Sequence, residues 1–206
     1  MLDNKGFDAW SGEYNESIEK YNQGYPFEGY YNVLGYVQSL VKENDKVKIL
    51  DLGIGTGLLT KELYKNGGQI YGVDFSGKML ELAKKKMPDG NFFCSDFKLG
   101  LPEELKEIKF NYIISSYAIH HISDEEKVKF IKELKNHLKE DGKIIIADVA
   151  FETKEKMQEC KENSGNKWDD DEFYMIADDI IVKMNGLGLD INYTQISSCA
   201  GVLEII

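Results

Sequence analysis

The feature that most limits the fold is an alternation that begins at Val47. Short apolar runs read as strands: "VKILD" (Val47–Asp51), "QIYGVD" (Gln69–Asp74), "NFFCSD" (Asn91–Asp96), "FNYIISS" (Phe110–Ser116) and "KIIIADV" (Lys143–Val149). Helical stretches separate several of them. "LLTKELYKN" is stopped by Gly67-Gly68. Ser76 caps a helix through Met79, Leu80, Ala83 and Met87 that ends at Pro88. "SDEE" at Ser123–Glu126 is a capping box, opening a helix with Val128, Ile131, Leu134 and Leu138 on one face. Strands joined through helices need right-handed crossovers, which give a parallel sheet covered on both faces.

The two ends depart from this rhythm. Upstream, Tyr30, Val33, Leu34, Val37, Leu40 and Val41 fall at steps of three and four, one face of a helix. Downstream, a helix is expected at about Asp170–Asn185, followed by "LDINYTQIS" and "VLEII" with only "SCAG" between them. That gap is too short for a parallel crossover, so these two form an antiparallel hairpin. The expectation is an α/β, Rossmann-like, doubly wound and mostly parallel sheet with one antiparallel strand near its edge. Residues 1–206 read as a single domain: a helical cap over about 1–44 and an α/β core over 45–206.

In such sheets ligands bind beyond the carboxyl ends of the strands. That selects Asp51 to Gly57, Asp74 to Ser76, Asp96-Phe97 and Ser115 to His121. The first is "DLGIGTG", with glycines at 53, 55 and 57. A dinucleotide fingerprint wants G-x-G-x-x-G or a final Ala, but Leu58 stands three after Gly55. No G-K-[ST] follows, so it is not a phosphate-binding P-loop. Asp51 would also repel a pyrophosphate, with no basic residue between Asp51 and Thr60. A cationic ligand fits better. S-adenosylmethionine (SAM) carries a sulfonium and an ammonium for Asp51, a ribose for Asp74 and an adenine amino group for Asp96.

Composition agrees. The 206 residues carry a formal net charge of -11 and 42% apolar residues, with no arginine. That balance opposes a nucleic-acid partner, which needs a cationic surface. Cys94, Cys160 and Cys199 have no metal or disulfide spacing, so reduced thiols in the cytoplasm are expected. No secretory leader or membrane span is read.

"ILDLGIGTG", "YGVDFSGKML", "CSDF" and "FNYIISSYAIHHI", in this order, resemble the class I SAM-dependent methyltransferases. Small bacterial members that open with a W-x-x-x-Y-[DN]-E-S segment, here Trp10 to Ser17, are the most similar. The resemblance implies seven strands in the order 3-2-1-4-5-7-6 and SAM binding at Gly53, Asp74 and Asp96. Asn111 departs from it, standing where many relatives have Asp; a structural role is expected there. The cofactor-side candidates are Asp51, Gly53, Gly55, Gly57, Asp74, Phe75, Met79, Asp96, Phe97 and Ser115, with Tyr14 and then Tyr25 roofing the methionine end. His120, His121 and Tyr14 are the candidates for the chemistry. A histidine near neutral pKa can deprotonate a nucleophile. Adjacent loop residues diverge, so one histidine at most should face the pocket, and a hydrogen-bonded structural role is the plainer reading.

"DDDE" at Asp169–Glu172 reads as a solvated helix N-terminus. No metal is expected. Lys84-Lys85-Lys86 reads as a complement to a helix C-terminus, and Tyr30 as a core residue. The expected activity is methyl transfer to a small-molecule acceptor, without nucleic acid or membrane. The competing expectation is a regulatory protein that binds SAM or S-adenosylhomocysteine without catalysis. An NAD-dependent oxidoreductase is opposed by the loop spacing.

Overall fold

A computed structural model describes Ile18 and residues 23–42, 47–185 and 189–206. Trp10 to Ser17, including Tyr14, lies outside the described residues, as does most of the expected cap. Within the described part, α1 (Tyr30–Leu40) leads into β1 (Lys48–Leu52), α2 (Thr60–Lys65), β2 (Gln69–Asp74), α3 (Gly77–Lys86), β3 (Asn91–Cys94) and β4 (Phe110–Ser116). Then follow α4 (Asp124–Lys135), β5 (Leu138–Phe151), α5 (Lys154–Ser164), β6 (Met175–Ile176), α6 (Ala177–Met184), β7 (Ile191–Gln195) and β8 (Ala200–Ile205).

The sheet runs β3-β2-β1-β4-β5-β8-β7, with the two-residue β6 added beside β5. β8 is antiparallel to both of its neighbours, and the other pairs are parallel. The expected order therefore holds, with one short extra strand.

Strand residues alternate between two cores, as a pleat requires. Ile49, Tyr112, Ile114, Ile145 and Ala147 join one core with Val33, Val37, Leu63, Ala83 and Cys160. Leu50, Leu52, Ile113, Ile144 and Ile146 join the other with Phe97, Ile131, Leu134 and Ile180. Burying each aliphatic side chain contributes about 1.5–3 kcal/mol before entropy is counted. Tyr30 is buried, as expected, and stacks on Tyr117 with ring centroids 4.8 Å apart.

The caps form as read. Ser76 Oγ accepts from Met79 N–H at 3.2 Å, and Ser123 and Glu126 make the reciprocal box. Asn111 is structural: its Oδ1 accepts from Lys48 N–H at 3.0 Å and from Lys139 at 2.9 Å.

The C-terminal third needs correcting. The helix expected at Asp170–Asn185 spans only Ala177–Met184, because Met175 and Ile176 first pair with Ala150 and Phe151 of β5. Asp169–Glu172 therefore is not a helix N-terminus. An unexpected helix, α5, is capped by Thr153 and buries only Cys160, so it lacks the apolar stripe that would reveal it. Leu138 belongs to the start of β5, not to the face of α4.

Candidate active site

β1 delivers Asp51 into the first core face, since it alternates with Ile49. The carboxyl is 1% exposed. Neither oxygen has a hydrogen-bond partner among the described residues. Burial pushes its pKa up to about 8, Thr60 draws it down somewhat, and the Asp74 charge adds to the rise. Thr60 Oγ1 is close enough to be felt electrostatically but makes no hydrogen bond of its own.

The glycines after β1 divide into two kinds. All three hold positive φ, 73° at Gly53, 53° at Gly55 and 75° at Gly57. A Cβ on Gly53 would lie 2.5 Å from Ala118 Cβ, and one on Gly57 would lie 2.5 Å from Met87 Cε. Those two glycines let the turn pack. A Cβ on Gly55 would meet nothing within 4 Å, so its backbone borders open space. Gly55 N–H points instead at Asp74 Oδ2, 2.8 Å away, while Ser76 N–H donates to Asp74 Oδ1 at 2.8 Å. Asp74 thus ties the end of β2 to the glycine turn.

Lys86 also reaches this turn. Lys84, Lys85 and Lys86 fill the last turn of α3, as expected, and Lys86 Nζ in addition donates to Thr56 O at 2.7 Å and to Thr56 Oγ1 at 3.1 Å. The sequence of the turn holds no cation; the fold supplies one from α3.

The remaining cofactor-side candidates take these positions. Met79 is buried, and Phe75 borders Cys94, whose thiol lies 3.6 Å from its carbonyl. Asp96 caps the turn Phe97–Leu99, accepting from Lys98 N–H at 2.9 Å. Phe97 is core, stacked on Phe130 at 5.6 Å. Ser115 donates to Leu52 O at 2.8 Å and so clamps β4 to β1. Tyr25 stacks on Trp168 at 5.1 Å and shares a hydrogen bond with Tyr174. It thus joins the segment that precedes β6.

Beyond β4 the chain turns sharply. Tyr117 holds φ 51°, rare for an aromatic residue, and leads into the turn Ile119–His121. Here the expectation of divergent histidines fails. The two rings lie 4.1 Å apart and converge on Glu172. His121 Nδ1 is 2.9 Å from Glu172 Oε2, and His120 Nε2 is 4.0 Å from it. The other nitrogen of His120, Nδ1, is 2.5 Å from Asp148 Oδ1.

Asp148 is 1% exposed and fully engaged. Its Oδ2 accepts from Ile119 N–H at 2.8 Å and His120 N–H at 3.0 Å, and its Oδ1 accepts from Val149 N–H at 2.7 Å. Burial alone would raise Asp148 and lower His120. The attraction between them outweighs both effects, leaving Asp148 below and His120 above its ordinary value.

Sequence reasoning missed Asp148, Glu172 and Lys127. The signal for Asp148 was present: a lone acid inside the apolar run "IIIADVAF". Lys127 is 1% exposed and shares the apolar face of α4 with Ile131 and Leu134. Its ammonium holds Asp124 at 3.2 Å and the carbonyl of Phe173. Phe173 N–H donates to His120 O at 2.8 Å, so the residue that follows Glu172 is anchored through both of its backbone groups.

Known proteins match this architecture. The family model of a methyltransferase domain covers residues 49–142. An uncharacterised methyltransferase of Oceanobacillus iheyensis is 38% identical over 154 residues, which is 74% of this chain and 69% of the relative. Another, from Geobacillus sp. (strain WCH70), is 31% identical over 209 residues, 97% of this chain and 95% of that one. Among solved structures, the DhpI–SAH complex aligns with a TM-score of 0.72 over 98% of this chain and 94% of that chain, at 13% identity, a likeness of fold. Identity above 30% along almost the whole chain is kinship rather than shared architecture alone, and the protein belongs to the class I methyltransferase family.

Proposed function

We propose that this protein transfers a methyl group from SAM to a small-molecule acceptor. The observation that carries the proposal is Asp51: a buried carboxyl without a hydrogen-bond partner among the described residues, next to a glycine turn bordered by open space. Beside an anionic cofactor the carboxyl would stay protonated and gain no ionic partner, whereas a sulfonium and an ammonium would restore the charge that burial suppresses. Residues of the turn and of the strand ends fit the rest of SAM. Asp74 stands at the end of β2, tied to the glycine turn, for the ribose hydroxyls, and Asp96 stands at the end of β3 for the adenine amino group. Met79 and Phe75 offer apolar contact. Tyr14 and Tyr25 belong to the proposed roof over the methionine end.

SAM supplies an activated methyl on sulfur, so the chain contributes alignment, dehydration and proton removal. His120 is the proposed base. Asp148 fixes its Nδ1, leaving Nε2 to accept a proton from the acceptor. This pair favours transfer over mere cofactor binding. His121 and Glu172 would orient the acceptor.

The net charge of -11 and the lack of arginine support a small acceptor over nucleic acid. Among the described residues, no helix is long and apolar enough to cross a membrane. Calorimetry tests the cofactor: SAM and S-adenosylhomocysteine bind and NAD does not. NAD binding without a SAM signal would overturn the proposal. Asp74→Ala should weaken SAM by about 2–4 kcal/mol, from lost contacts to a charged acceptor.

A further inference from the structure

We propose that His120, His121 and Glu172 form a binding site for a divalent first-row transition metal, of the zinc, cobalt or iron(II) kind. One nitrogen from each ring and one carboxylate oxygen lie within 4.8 Å of one another. Ligands of a common metal at about 2.0–2.2 Å stand roughly 3–3.5 Å apart. The His121–Glu172 pair is already at 2.9 Å, and the His120–Glu172 pair at 4.0 Å. Small side-chain rotations close the difference.

What marks this cluster off from a chance meeting of side chains is its outer support. A ligating histidine ordinarily gives its second nitrogen to a carboxylate, which fixes the tautomer and aims the free nitrogen at the metal. Asp148 holds His120 Nδ1 in that way at 2.5 Å, and three backbone N–H groups hold Asp148. The third ligand is fixed as well. Phe173, next to Glu172, is tied to the His120 carbonyl through its N–H and to the Lys127 ammonium through its carbonyl.

Charge and ligand type agree. Asp148 and Glu172 bring two negative charges, and the ammonium of Lys127 is paired with Asp124, so with neutral imidazoles the cluster is net negative. Two imidazoles and one carboxylate suit zinc, cobalt or iron(II) far better than magnesium or calcium, which take oxygen. Three protein ligands leave at least one coordination position open.

The site shares His120 Nε2 with the proton-accepting role proposed above, and only this consequence rests on that reading. A metal on that nitrogen and a proton exclude each other, so metal-loaded protein should transfer methyl groups more slowly to acceptors that must lose a proton.

Titration of the full chain with Co²⁺, without cofactor or acceptor, tests the site independently of methyl transfer. One equivalent of cobalt should bind and show the visible absorbance of a low-coordinate site, and Zn²⁺ should displace it. Glu172→Gln and His121→Gln should each weaken binding at least tenfold, with unchanged far-ultraviolet dichroism as the check on folding. Asp148→Asn, acting through His120, should weaken it by about 10–100-fold. Wild-type protein that gives no cobalt spectrum would overturn the proposal, as would Glu172→Gln and His121→Gln variants that both titrate like wild type. SAM calorimetry on the metal-free protein separates this failure from failure of the cofactor reading.

Discussion

Asp51 and Asp148 are two carboxyls with the same burial and opposite situations. Each is 1% exposed and each stands near the carboxyl end of a parallel strand. Strand alternation sends them to opposite faces, Asp51 with Ile49 and Asp148 with Ile146. Asp148 collects three backbone N–H groups and a histidine. Asp51 collects no hydrogen bond among the described residues. One is held below its ordinary pKa, the other is pushed up to about 8. Burial alone therefore does not set a carboxyl's state; the partners it finds do. A carboxyl satisfied from within can hold a machine part in place. A carboxyl left unsatisfied is poised for something from outside.

The largest effect expected from breaking this comparison is on stability. Asp148→Ala strands three buried donors and His120, and should cost about 3–5 kcal/mol in urea unfolding. Asp51→Asn removes a buried charge without stranding a partner, so at pH 9 it should be neutral or stabilising. Equal losses in the two variants would show that the contrast in pairing is unreal.

The glycine turn sharpens the same contrast on a smaller scale. Gly53→Ala adds left-handed strain to a clash with Ala118, and should cost about 2–4 kcal/mol. Gly55→Ala meets only the strain, about 1–2 kcal/mol, yet fills the space assigned to cofactor. It should therefore lose more SAM affinity per unit of stability than Gly53→Ala, measured by melting and calorimetry together.

A pH series separates the two acids further. Asp51 keeps its proton in the fold up to about pH 8, whereas the unfolded carboxyl loses it near 3.8. Its contribution to stability is therefore full below pH 3.8, declines above it and is gone beyond about 8. Asp148 has the opposite sign: its lowered pKa supports the fold above the unfolded value and is lost on acidification. Asp51→Asn should flatten the decline between about pH 3.8 and 8, read as melting temperature against pH. The smallest effect expected is that of Lys86→Met. It removes one half-buried cation from Thr56 and should cost about 1 kcal/mol.

Legibility in the sequence followed the same line between local and distant causes. The strands, the helix caps and the glycine turn depend on neighbours in the chain, and "ILDLGIGTG" or "SDEE" displays them directly; the strand order joins distant segments and was legible only through the resemblance to the methyltransferases. Asp51 was legible because an acid before three glycines has no local explanation. The Asp148–His120 pairing joins positions 28 residues apart, and only the lone acid in an apolar strand hinted at it. Glu172 was hidden. It sat among three aspartates that looked like a helix start, and its meeting with His121 depends on β6 pairing with β5. Helix α5 left no apolar period because it buries so little.

The central claim is that Asp51 waits for the cation of SAM, and proton release on binding tests it most directly. Calorimetry at pH 7 in two buffers of different ionisation enthalpy reports the protons exchanged. Wild-type protein should release close to one proton as SAM binds, because Asp51 is protonated alone and ionised beside the cation. Asp51→Asn should release none and bind more weakly. Tight SAM binding with no proton release, and with the same affinity in Asp51→Asn, would contradict the account.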